Sequence, residues 1–376
     1  MLRSARNDGL ALYVHWPFCV SKCPYCDFNS HVRENVEQQI WRDALLKDLA
    51  FEAEANPAGR LVSIFFGGGT PSLMDPATVA AIVEAAEQHW AFAPGIEITL
   101  EANPSSVEAA RFADLSAAGV NRVSLGLQSL DDAALRFLGR AHGVREGLAA
   151  LETAQACFER VSFDLIYALP GQDEAAWRAE LERALAFGTG HLSLYQLTIE
   201  PGTRFAAMAA RGELAPRDPD EAAALYELTQ ALTQGAGLPA YEISNHARPG
   251  EESRHNLAYW RYRPYSGIGP GAHGRRCGVA TIRHRKPENW LAALARNGNG
   301  LAEETPVSTR EAQTEALLMG LRLAEGVELD AVRDAIDLAS VARLEAQGLL
   351  QRESDRLKVL PPGRLVLDVI LAEIAS

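Results

Sequence analysis

Apolar and polar residues follow two rhythms along this chain. Seven short runs are apolar, β-branched or alternating: "LALYVHW" (10–16), "LVSIFF" (61–66), "IEITL" (96–100), "NRVSLGL" (121–127), "RVSFDLIY" (160–167), "HLSLYQLTI" (191–199) and "AYEIS" (240–244). Between them lie Ala-, Leu- and Glu-rich stretches of helical period, such as "NVEQQIWRDALLKDLAFEAEA" and "PATVAAIVEAAEQHW". Strand followed by helix, repeated in this way, predicts a parallel sheet covered by helices. With ~30–40 residues per repeat, the expected architecture is α/β, a partial, TIM-like (β/α)6 barrel.

Most runs end in a polar or glycine-rich turn: "GGGTPS" after the second, "EANPSS" after the third, "QSL", "ALPGQ" and "EPGTRF" after the next three. The first runs into a cluster of cysteines, "CVSKCPYCDFNSH". In a parallel barrel all these turns gather at the carboxyl ends of the strands, where active sites are built. The thiols, the glycine loop, Glu101, Gln128 and Asp164 are therefore expected at one mouth.

From about Thr305 the rhythm changes. "EAQTEALLMGLRL", "ELDAVRDAI" and "ASVARLEAQGLL" read as three short helices, "QRESDRLKVLPPGRLV" as a hairpin, and a last helix follows. That order predicts a small winged-helix-like domain. The expected organisation is a barrel with its thiol loop over 1–240, a connecting region over 241–304 and the small domain over 305–376. Winged helices often bind DNA, but this segment has eight Lys and Arg against twelve Asp and Glu, so it reads as a packing or interaction module.

Charge and composition narrow the function. A formal net charge of −13 argues against a partner held by phosphate contacts. No apolar run approaches a membrane span, and "MLRSARNDGL" lacks the apolar centre of a signal peptide, so the expected location is the cytoplasm. There, clustered thiols mean metal or redox chemistry more often than disulfides. Cys157 and Cys277 stand alone and read as packing residues.

Cys19, Cys23 and Cys26 give the spacing C-x3-C-x2-C, with Phe28 where a further thiol could stand. Three thiolates can hold three irons of a [4Fe–4S] cluster and leave the fourth open. Reductive cleavage of S-adenosylmethionine requires that opening, because the methionine amino and carboxylate groups chelate the open iron. Taken alone, the thiols also fit zinc with His15 or His31 as fourth ligand, or a disulfide between two of them. "GGGTPS" offers unhindered backbone N–H groups, Glu101 and Asp164 suit ribose hydroxyls or an ammonium group, and Arg140 in "LGRAH" suits a carboxylate. Each of these residues singly is equally a turn, capping or surface residue.

Tyr13, "HWPFC", "KCPYCDF", "FGGGTPS", "EANP", "RVSLGLQS", "LGRAH" and "DLIYALPGQ" resemble the radical S-adenosylmethionine branch that includes oxygen-independent coproporphyrinogen III oxidase. The resemblance runs from about residue 10 to the C-terminus. It implies that Cys19, Cys23 and Cys26 ligate the cluster, and that Tyr13, Tyr25, Gly68, Gly69, Thr70, Glu101, Gln128, Arg140, Asp164 and Thr198 contact S-adenosylmethionine. Two departures separate the chain from the oxidase: Phe28 replaces a further cysteine, and a long extension before the cluster is missing. The chain more closely resembles the HemW-type haem chaperones of the same branch. "YEISNHARPGEESRHNLAYW" carries H-N-x-x-Y-W at His255, Asn256, Tyr259 and Trp260, similar to the haem-associated motif of that group.

A neutral imidazole is a good axial ligand for haem iron, and Tyr259 and Trp260 can flank a flat macrocycle. Without the resemblance, His255 and Trp260 read as packing residues; with it, His255 is the expected haem contact, with His246 and His273 as substitutes. The resemblance implies haem transfer to apo-haemoproteins, chiefly respiratory ones, with room for transient membrane association. Two rival readings are a porphyrinogen decarboxylase and a modifier of transfer RNA, the second disfavoured by the acidic balance.

Overall fold

The computed structural model describes residues 9–57, 59–276 and 278–376; Cys277 and the first eight residues, on which the leader-peptide reading partly falls, lie outside it. One sheet dominates. Its strands are β1 (Leu10–Trp16), β2 (Leu61–Gly68), β3 (Phe92–Ala102), β4 (Arg122–Gln128), β5 (Arg160–Tyr167), β6 (His191–Gln196), β7 (Asn245–Ala247), β8 (Tyr265–Ile268), β9 (His273–Arg276), β10 (Val279–Arg283) and β11 (Leu301–Pro306). The spatial order is β11-β10-β9-β8-β1-β2-β3-β4-β5-β6-β7, with the two end strands unpaired to each other.

The first six strands are parallel in sequence order, as the rhythm predicts. Helices cover them: α1 (Gln38–Ala55), α2 (Pro76–His89), α3 (Val144–Cys157), α4 (Glu174–Leu185) and α5 (Pro219–Gly235). In β1, residues of both faces are buried or nearly so, and "LALYVHW" therefore reads as an almost continuous apolar run. Helix starts are set locally. Asp75 caps α2 and Asp218 caps α5, each followed by a proline whose missing N–H costs the first turn nothing. Cys157 packs, half-buried, against the main core.

Three expectations need correction. "AYEIS" is a run of turns, and the strand is Asn245–Ala247, antiparallel to β6. Its polar residues are hidden from an apolar pattern because they are satisfied inside: Ser193 Oγ donates to Asn245 Oδ1 (2.9 Å). The seven predicted runs also omit a strand in the connecting region, where Tyr265–Ile268 forms β8, parallel to β1. Gly267 permits the following hairpin, because a Cβ there would stand 1.8 Å from the His273 carbonyl oxygen. "ELDAVRDAI" is not a helix but β12 (Val327–Glu328) and two short 3-10 turns, with Val332 and Ile336 turned into a second core.

That second core joins α6 (Thr309–Gly320), α7 (Leu338–Ala346), α8 (Leu367–Ile374) and an antiparallel sheet of β12 with β13 (Leu350–Glu353) and β14 (Arg356–Val359). The hairpin and the final helix stand where the winged-helix-like reading puts them. Among the described residues no helix is long and apolar enough to cross a membrane.

A buried ion cluster fastens the added strands β8–β11 to α1. Arg283 on β10, fully buried, donates through Nε to Asp48 Oδ2 (2.7 Å) and through Nη2 to Glu52 Oε2 (2.8 Å), both on α1. The Gly269 and Gly300 amides donate to the same Asp48 carboxylate (3.1 and 3.2 Å), as does Trp290 Nε1 (3.3 Å). Replacing Arg283 with Met strands Asp48 without its cation and leaves Glu52 with Arg276 alone (3.5 Å). The expected loss is about 3–5 kcal/mol, read as a lowered midpoint in equilibrium denaturation.

Candidate functional site

The thiol loop leaves β1 at its carboxyl end and is held against the glycine loop that follows β2. Gly69 N donates to Trp16 O (2.7 Å) and Thr70 N to Phe18 O (2.8 Å). Gly69 must be glycine for this approach, since a Cβ would stand 2.6 Å from Phe18 O. Thr70 Oγ1 then donates to Cys19 Sγ (3.5 Å), Arg140 Nη1 to Cys23 Sγ (3.3 Å), and Cys26 Sγ lies 4.0 Å from Ser30 Oγ. Asn103 ties the two donors together: its Nδ2 donates to Thr70 Oγ1 (3.2 Å) and its Oδ1 accepts from Arg140 Nη2 (2.7 Å). Burial pushes the Cys19 and Cys26 thiols up, and neighbouring thiols add to the effect.

Three thiols at this spacing are a donor set suited to the irons of a cluster. Among the described residues, no three His, Cys, Asp or Glu side chains converge on a point one metal could occupy. His15 is already committed. Its Nε2 lies 2.9 Å from the Asn29 carbonyl, which can only accept, so Nε2 carries the proton and Nδ1 accepts from Tyr13 OH (2.9 Å). Burial lowers its pKa to about 4, so the ring is neutral and both nitrogens are engaged. The zinc reading through His15 is therefore set aside.

The other predicted residues stand at the same ends of the strands. Gly68 N donates to Glu101 Oε2 (3.2 Å), and Ser124 Oγ donates to Asp164 Oδ1 (3.2 Å). Gly68 and Gln128 both end their strands with positive φ (110° and 69°), as Ala168 does just past β5 (58°). Left-handed backbone at non-glycine residues is sparse, and two of the four such residues described, Gln128 and Ala168, fall at the mouth. Arg140 pairs with Cys23, Asn103 and the Gly126 carbonyl rather than with a carboxylate of the protein. Tyr25 packs near Phe205, and burial moves its hydroxyl pKa up. Thr198 is exposed beyond the end of β6.

The H-N-x-x-Y-W stretch forms the short helix Arg254–Trp260, capped by Ser253, whose side chain accepts from Asn256 N (3.3 Å). Glu97 on β3 anchors it by accepting from His255 N (3.2 Å) and Ser253 Oγ (3.4 Å). The His255 ring stacks on Phe65 (centroids 4.8 Å) and tilts against Tyr259 (4.9 Å). Its Nδ1 lies 3.2 Å from Ser63 Oγ, while its buried Nε2 has no hydrogen-bond partner among the described residues. Burial first, and Arg122 second, lower its pKa to about 3.

The motif helix and part of the strand-end set meet in one cavity of about 850 Å³, whose lining does not include the three thiols, Arg140 or Asp164. Tyr13, Gly68 and Glu101 line it from the strand ends, and His255, Asn256, Tyr259 and Trp260 from the motif helix. His273 also lines it, but His246 is buried elsewhere, 3.2 Å from Gln230 Nε2. Several lining residues escape sequence reasoning: Asn29, Phe65, Glu242, Met319 and Arg322. Met319 and Arg322 sit inside an ordinary helical pattern, and only the fold turns them inward.

Glu101 carries a titration. Burial, reinforced by Asp164, raises its pKa from 4.5 to about 8. Between those values the folded protein binds the proton and the unfolded chain does not, so stability falls as pH rises from about 5 to 8. A single group contributes at most about 1.4 kcal/mol per pH unit to that slope. Melting temperature measured across that range is expected to decline in the wild type and to decline less in Glu101→Gln.

Comparison with known proteins follows the same division of the chain. Residues 13–184 match the model of the radical SAM superfamily, and 307–366 that of the HemN C-terminal domain. The chain is 41% identical over 380 residues to mouse "Radical S-adenosyl methionine domain-containing protein 1, mitochondrial", covering 96% of this chain and 86% of that protein. It is 36% identical over 382 residues to "Heme chaperone HemW" of Escherichia coli K12 (96% and 97% covered) and 37% over 372 to that of Mycobacterium tuberculosis H37Rv (97% and 94%). Among solved structures, E. coli coproporphyrinogen III oxidase (HemN) superposes with a TM-score of 0.80 over 98% of this chain and 90% of that one, at 21% identity, a likeness of fold.

Proposed function

We propose that this chain, which belongs to the radical SAM superfamily and within it to the family of HemW haem chaperones, binds haem and delivers it to apo-haemoproteins, those of the respiratory chain foremost. The observation that carries this reading is the unpartnered, buried Nε2 of His255 in the wall of the 850 Å³ cavity. A buried nitrogen without a partner is a standing cost, relieved when a metal accepts its lone pair. The Ser63 hydroxyl at Nδ1 holds the ring in place, and the low pKa keeps the ring neutral and able to ligate throughout the physiological range. Phe65, Tyr259 and Trp260 supply apolar faces for a flat ring.

In this reading Cys19, Cys23 and Cys26 hold three irons of a [4Fe–4S] cluster, with S-adenosylmethionine bound beside it along Gly68, Gly69, Glu101 and Asp164. When bound, the cluster and S-adenosylmethionine supply one-electron chemistry. Thr70 and Arg140 donate toward two of the sulfurs, an arrangement that stabilises thiolates and raises a cluster's potential. The oxidase reading is not favoured: Phe28 stands exposed on the thiol loop where the oxidase has a further cysteine.

Two measurements test this. Haem titration of the anaerobically reconstituted protein is expected to give a saturable spectral transition, weakened at least tenfold in His255→Ala with circular dichroism unchanged. Unchanged affinity would move the ligand to His273, the other candidate imidazole on the cavity. Gly69→Ala is expected to press on the Phe18 backbone, displace Cys19 and lower iron and sulfide per chain severalfold after reconstitution.

A further inference from the structure

The cavity has a cationic side that the haem-iron reading does not use. Arg322 follows α6 in the C-terminal module and lines the cavity beside Met319. Its guanidinium lies 5.3 Å over the ring of Trp260, on the same short helix as His255. Its buried Nε has no hydrogen-bond partner among the described residues. Arg285, exposed at the rim, lines the same cavity, and its backbone carbonyl accepts from Asn29 of the thiol loop (3.0 Å).

A buried carboxylate on this side, Glu242, is already served. Its carboxylate accepts from Ser244 N (3.1 Å) and from the Asn245 side-chain amide, and Arg322 acts on it through space. A guanidinium stacked on an indole, with a planar fork of donors incompletely used, is set up for a planar bidentate acceptor. Haem brings two propionate carboxylates on one edge of its ring, and burying them requires a cation.

Resting on the haem reading above, we propose that Arg322, seconded by Arg285, anchors the haem propionates, so that the C-terminal module forms part of the cargo site. His255 then holds the iron, while Arg322 fixes which edge of the ring enters. The module's contribution is recognition of carboxylate, beyond packing.

The test compares haem with haem dimethyl ester, whose propionates are uncharged, by absorbance titration of the full-length, anaerobically reconstituted protein. Wild type is expected to bind the free acid at least about tenfold more tightly than the ester, the worth of one charge-assisted hydrogen bond. In Arg322→Met that preference collapses while ester affinity stays as it was; in Arg285→Met it shrinks. His255→Ala weakens both ligands alike. Equal affinity of wild type for acid and ester overturns the proposal, as does a preference that survives both arginine substitutions, or equal loss of both ligands in Arg322→Met. Should Arg322→Met fail to fold, Arg322→Lys, which keeps charge without the fork, is expected to retain only part of the preference, and full retention there overturns the proposal. No saturable binding of either ligand to wild type overturns the haem reading and this proposal with it, an outcome distinct from haem binding without discrimination.

Discussion

The site depends on strand β1 being paired in parallel on both sides. One neighbour, β2, puts Phe65 opposite Tyr13 and Gly67 opposite His15; the other, β8, puts Gly267 opposite Tyr13. The chain then runs from the end of β1 directly into the thiol loop. Because a strand's side chains alternate, a one-residue slip at either ladder would turn Tyr13 and His15 to the opposite face and separate the thiols from the glycine loop. Small residues make this close fit possible: a Cβ at Gly269 would stand 2.3 Å from the His15 carbonyl oxygen.

How legible this was in the chain follows from what each part buries. The six parallel strands announce themselves because each keeps one apolar face buried, alternating in the later strands with buried polar residues such as Thr99, Ser124, Ser162 and Ser193, and the three thiols and GGG run because their chemistry is unusual. Tyr265–Ile268 is hidden by two glycine turns around it, and Asn245–Ala247 by polar residues that find partners only in the folded protein. The same applies within the site. Glu101, Asn103 and Arg140 all stand in recognisable motifs, but only the fold shows Asn103 bridging Thr70 and Arg140, through contacts spanning 33 and 37 residues. Met319 and Arg322 follow a helical period like any other, and their turn toward the cavity comes from tertiary packing alone.

Polar groups buried away from the cavity pin the elements around it. Arg283 between Asp48 and Glu52 fixes the added strands against α1, and Arg160 bridges Glu97 (2.7 Å) and Glu251 (2.9 Å) beneath the motif helix. Directional contacts of this kind accept few alternatives, whereas apolar contacts tolerate sliding. His255 therefore meets the cavity from a helix whose start is pinned by Glu97, and the cavity's opposite wall comes from strands pinned by Arg283.

Asn29 carries a consequence for how the protein is made. Its carbonyl accepts from His15, and its side-chain amide donates to the carbonyls of Pro270 (2.9 Å) and Arg285 (3.0 Å), partners 241 and 256 residues later in the chain. A ribosome adding about 5–20 residues per second needs roughly ten seconds to a minute to reach them. Until then the nascent chain displays its three thiols on a loop lacking those two tethers. The interval is one in which a metal or an oxidant meets the cysteines before the architecture that positions them is complete.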